Sequence, residues 1–168
     1  MKSLNNSEDN LANITASVQR LVRAIMLATG QFSLILACCN SVKAQPQILN
    51  LLQELSSVDI QEIVISPTAE KLYTTIADTI GTNQPEALMV KGLESVVEIN
   101  QLIISTNLMR DEFRKNLHFP LVLWVNDDIL GKLVWLAPDL KNWAASTIRF
   151  DNYEHQATPN SAFTASEV

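Results

Sequence analysis

The chain has 168 residues, enough for one domain with a sizeable core. Apolar residues make up 47% and charged residues 18%, a globular balance rather than a disordered one. The net charge of −6 repels a phosphate backbone, so nucleic acid is not an expected partner. Arg20 and Arg23 are the best seed for a local basic patch.

In chain order, Met1 to Asn10 is polar, lacks an apolar signal core and reads as a disordered lead. Leu11, Ile14, Val18, Leu21, Val22 and Ile25 follow helical spacing, with Gly30 as the stop. Phe32 to Cys39 is a nearly continuous apolar run that suits a central parallel strand. Its stretch Leu34 to Cys39 is the longest apolar run, far short of the roughly 20 residues that span a bilayer. Asn40 to Gln45 is a polar connection. Pro46 fits the first turn of a helix with Ile48, Leu51, Leu52 and Leu55 on its core face. Ile60 to Ser66 reads as a second strand ended by Pro67. Ala69, Leu72, Tyr73, Ile76 and Ile80 form another helical stripe, closed by Gly81.

Ala87 to Lys91 is a third strand. A long helix is expected from about Ser95 to Leu117, then a fourth strand from Leu121 to Val125. A shorter helix covers about Asp128 to Ala137, a further turn surrounds Trp143, and Thr147 to Phe150 is a fifth strand. From Asp151 the chain is polar and rich in Ser, Thr and Asn, which suggests a flexible tail or linker. The division is therefore a lead at 1–10, an α/β domain at 11–151 and a tail at 152–168. Alternating strands and helices imply right-handed crossovers and a mostly parallel five-stranded sheet in a three-layer α/β/α sandwich. The two cysteines, Cys38 and Cys39, are strand neighbours that face opposite ways, so they read as reduced thiols of a cytoplasmic protein.

Ligands of open parallel sheets bind beyond the carboxyl ends of the strands. Those ends deliver Asn40, Ser41 and Lys43, then Ser66, then Gly92 and Glu94, then Asn126, Asp127 and Asp128. Glu94 could meet magnesium or favour the dipole of the following helix. Asp127 and Asp128 could join it at a metal, although Asp128 also suits a helix start. His118 and His155 lack the spaced ligands of a zinc site. Trp124, Trp135 and Trp143 suit packing; an exposed one would anchor a partner.

Phe32 to Asn40, the Gly92-Leu-Glu94 turn, Pro120 to Trp124 and Ala137 to Trp143 come in an order with a family likeness. The chain resembles a degenerate, STAND-like AAA module of the P-loop nucleotide triphosphatase class, found ahead of tetratricopeptide or similar repeats in bacterial, including cyanobacterial, proteins. The resemblance implies strand order 5-1-4-3-2. It also implies a vestigial nucleotide site in which Asn40, Ser41 and Lys43 stand at the phosphate loop, Glu94 at the magnesium position and Asn126 at the sensor. A working loop reads G-x-x-x-x-G-K-[ST], whose glycines turn amides inward around phosphate. Asn40 to Pro46 has no glycine, Lys43 is followed by Ala44, and Pro46 lacks an N–H. A non-catalytic regulatory or protein-interaction module in bacterial signalling follows. It would use no cofactor and no metal, would contact a protein partner or another copy, and would present Trp135 and Trp143. The alternative is an atypical nucleotide-binding protein or weak NTPase that takes ATP or GTP with magnesium. A nucleic-acid regulator and a membrane role are not expected.

Overall fold

A computed structural model describes residues 2–145 and 147–150. α1 (Lys2–Leu27) leads into β1 (Ser33–Cys38), α2 (Gln45–Leu55), β2 (Ile60–Val64), α3 (Leu72–Ile80) and β3 (Ala87–Lys91). A 3-10 turn at Leu93–Ser95 precedes α4 (Ile99–Leu108) and α5 (Arg110–Asn116). β4 (Pro120–Val125), α6 (Asp127–Leu136), α7 (Pro138–Asn142) and β5 (Thr147–Arg149) follow.

The sheet order is β2-β3-β4-β1-β5, and all four pairings are parallel. Read from the other edge, this is the 5-1-4-3-2 order that the resemblance implies. β1 pairs with β4 from Ser33 opposite Pro120 to Cys38 opposite Val125. All six residues of β4 are buried, because helices cover both faces of the sheet. Ile14, Val18, Leu21 and Ile25 of α1 and Ile48 and Leu52 of α2 pack on one face. Leu72, Ile76, Leu102, Phe113, Ile129 and Leu140 of α3 to α7 pack on the other. Each fully buried Leu or Ile contributes about 1.5–3 kcal/mol, so both layers hold the sheet. Cys38 joins the second cluster and Cys39 the first, as strand alternation requires, and both are buried and outside any disulfide among the described residues.

Several expectations need correction. α1 runs from Lys2 rather than from Leu11, so the lead at 2–10 is helical. Ser3 to Asn10 holds no Pro or Gly, and extending an existing helix needs no new nucleus. The helix expected over Ser95 to Leu117 is three pieces. Val97 donates its N–H to the Pro67 carbonyl at 2.8 Å, which delays the helix start to Ile99. At Met109 the chain turns: Asn107 Oδ1 accepts from Leu140 N at 2.9 Å, and Arg110 Nη1 donates to Asn107 O at 2.7 Å. These partners lie on other elements or one turn away, and no breaker residue announces them. Ala69 stands outside α3, which begins at Leu72. The expected tail and His155 lie outside the described residues.

Candidate functional site: the carboxyl rim of β1, β4 and β5

β1 and β4 end side by side, with Cys39 N donating to Val125 O at 2.9 Å. β5 lies against the last half of β1, from Leu36 opposite Thr147 to Cys38 opposite Arg149. This topology gathers Asn40, Asp127 and Arg149 at one rim. Asn40 Nδ2 donates to Asp127 Oδ2 at 2.8 Å, while Asn40 Oδ1 accepts from Asp127 N at 2.8 Å. Arg149 Nη1 donates to Asp127 Oδ1 at 2.7 Å. The Cys38 thiol lies 3.5 Å from the same oxygen. Ser17 of α1 closes the back of the cluster by donating Oγ–H to the Arg149 carbonyl at 2.9 Å.

The turn after β1 is occupied by its own polar groups. Ser41 Oγ accepts from Ala44 N at 3.2 Å, which tightens the approach to α2. Lys43 is exposed and makes no hydrogen bond or ion pair among the described residues. Asn126 is spent as the N-cap of α6, where its Oδ1 accepts from Ile129 N at 2.9 Å. That cap falls to Asn126 rather than to Asp128, which sits exposed in the first turn. Glu94 is exposed in the 3-10 turn after β3, and α4 begins only at Ile99, so Glu94 does not cap it. Among the described residues no three His, Cys, Asp or Glu side chains gather as a metal site.

The Asp127 carboxylate holds negative charge 2.8 Å from the Asn40 side-chain amide, and such a charge disfavours an anion beside it. Two like charges at contact distance disfavour each other even in water, and more so at a protein rim. No glycine is present to swing the amides inward.

Arg149 was the member that sequence patterns missed. It lies on the last strand, and only the placement of β5 beside β1 brings it to Asp127. The hydrogen bond from Arg149 holds the Asp127 carboxyl below the usual carboxylate range; burial opposes this, and Asn40 and Cys38 reinforce it. A depressed folded pKa adds stability above the unfolded value near 3.8, and that stability is lost as pH falls through the folded value. The pair's side chains are 47% and 39% exposed, so screening keeps its contribution to about 1 kcal/mol or less. Asp127→Asn should therefore be slightly less stable than the parent at pH 6. The gap should close by about pH 2.5 in urea melts. A gap that widens on acidification would contradict the pairing.

Of the tryptophans, Trp124 is buried against Phe150, with ring centroids 5.5 Å apart. Trp143 is half-buried, edge-on to Phe32 at 6.1 Å and under the Arg114 guanidinium at 4.0 Å from its ring centre. Trp135 on α6 is 84% exposed, next to exposed Val134. No helix among the described residues is long and apolar enough to cross a membrane.

No protein-family model matches the chain, and no curated protein matches it. Among solved structures, the ADP form of the Aeropyrum pernix ORC2 protein is similar, with a TM-score of 0.49 and 12% sequence identity. The match covers 80% of this chain and 46% of that one, so the chain spans less than half of that structure's length.

Proposed function

We propose that this chain is a non-catalytic module with the P-loop NTPase strand order that works through protein contacts, in bacterial signalling or regulation. The observation that carries the reading is the Asn40–Asp127–Arg149 network. It fills the turn after β1 with a carboxylate and its own donors, where a phosphate-binding loop would need free inward amides. Phosphoryl transfer depends almost wholly on positioning and charge stabilisation, so a rim built this way forfeits the catalysis. Trp135 supports the second half of the reading. A large exposed indole on a helix face is the kind of anchor that dominates protein interfaces.

A thermal-shift titration tests it. A ligand held only by the folded chain at about 100 times its Kd adds about 2.7 kcal/mol of stability. With millimolar ATP or GTP and magnesium, no rise in Tm and no phosphate release are expected. A clear rise would replace this reading with an atypical nucleotide-binding protein. Phosphate release abolished by Glu94→Gln would establish a weak NTPase.

A further inference from the structure

β2 closes one end of the sheet, and no strand lies along its outer edge among the described residues. One bond fixes which backbone groups face that edge. Ile65 N donates to Lys91 O at 2.9 Å, so Gln61, Ile63 and Ile65 turn their polar groups to β3. Ile60, Glu62 and Val64 therefore turn theirs outward. The Ile60 carbonyl agrees, because it accepts from Gln53 Nε2 of α2 at 3.3 Å. The backbone N–H and C=O groups of Glu62 and Val64 have no partner among the described residues. Val64 is 71% exposed, so this stretch of the edge is open to solvent. The opposite edge differs: α1 packs against β5, and Ser17 Oγ donates to the outward Arg149 carbonyl at 2.9 Å. Lysine, proline or a covering element commonly blunts an edge strand; β2 carries neither lysine nor proline.

Charge decides what this edge accepts. Asp59 stands just before the strand, and Glu86 Oε1 accepts from its N–H at 3.1 Å. Neither acid makes an ion pair among the described residues. Lys91, the base beside them, is held by Glu62 at 2.8 Å. We infer that the outer edge of β2 takes one extended segment of another protein, bearing lysine or arginine, as an added strand. The outward backbone groups of Glu62 and Val64 hold its main chain, and Asp59 and Glu86 select its charge. A second copy set edge to edge would bring the same acids together, which like-charge repulsion penalises. The inference stands on this edge alone; a nucleotide at the β1 rim would leave it untouched.

Fluorescence anisotropy on the full chain tests it, with a dye-labelled peptide of about seven alternating Lys and Val residues as the probe. Titration to about 1 mM protein is expected to saturate, and the Kd should rise about tenfold between about 50 mM and about 300 mM salt. A probe with Glu in place of every Lys should bind about tenfold more weakly or worse. Asp59→Lys with Glu86→Lys should weaken the Lys probe about tenfold. Val64→Pro removes an outward N–H that β3 does not use, so it should abolish binding while the urea midpoint moves little. Should that variant fail to fold, a Lys probe methylated on all its backbone nitrogens gives the same reading on the parent chain, because it has no donor left for the edge. A Lys probe that does not bind by about 1 mM overturns the inference. So does a Glu probe that binds as tightly, and so does binding that survives Val64→Pro or backbone methylation. A dimer of the parent that Val64→Pro dissolves would give the edge to a second copy and overturn it as well.

Discussion

Phe113→Ala is expected to cost about 3–5 kcal/mol of folding stability, because it empties a buried aromatic site. Phe113 is buried on α5, with ring centroids 6.0 Å from Phe32 and 5.2 Å from Tyr73. Phe32 in turn meets Trp143. Phe113 thus joins α5 to α3 and to the lead into β1, and Phe32 carries the contact on to the end of α7. Aromatic pairs at these distances add about 0.5–1.5 kcal/mol beyond the area they bury. A chain of this length shifts in Tm by roughly 2–4 °C per kcal/mol, so a fall of about 10 °C is expected. Urea unfolding of Trp135→Ala is the control. That ring is exposed, and its removal should move stability by less than about 0.5 kcal/mol. A Phe113→Ala loss under about 1 kcal/mol would mean that the cluster is not packed as described.

Gly92→Val should cost about 2–3 kcal/mol, for two reasons that add. Gly92 follows β3 in the left-handed region, at φ 88° and ψ 10°, where a β-branched residue is a steric outlier. A Cβ there would also lie 3.0 Å from Val64 Cγ1 and 3.4 Å from the Ile65 carbonyl oxygen. The carbonyl distance is ordinary contact, so the crowding is with Val64, an exposed side chain that must give by a few tenths of an ångström. Gly30→Val, at a similar φ of 85°, carries the positive-φ cost with nothing within 4 Å of its added Cβ, so it should be the milder change. Equal losses at the two sites, measured by urea midpoint, would show that crowding beside β2 plays no part. Glu94 stands two residues beyond Gly92, so this variant also disturbs the turn that carries it, without altering its chemistry.

The fold was more legible than the site. β1, β3 and β4 were readable as short apolar runs, because a strand covered on both faces must be apolar on both, whereas the edge strands β2 and β5 mix polar and apolar residues. Gly81 marked the end of α3, and Pro46 the start of α2, since backbone conformation there is dictated by the residue itself. The long helix was not readable as three pieces. Its breaks come from Pro67, Asn107 and Leu140, whose contacts no periodicity encodes.

The rim divides in the same way. Asn40, Ser41, Lys43, Glu94 and Asn126 were placed by their positions after strands, yet their partners were hidden. Asn126 carries a helix cap, a local role three residues long, and Asn126-Asp-Asp preceding an apolar stretch was its visible signal. Asp127 is shared by Asn40 and Arg149, which stand 87 and 22 residues away. What this chain determines by itself is local: which runs must be buried, where the backbone must turn, and that no glycine follows β1. Periodicity left the neighbour of β5 open and the family resemblance placed it beside β1; the tertiary structure alone decided that Arg149 meets Asp127 there. Strand neighbours are chosen by crossovers and packing of whole layers, energies spread over residues far apart in the chain.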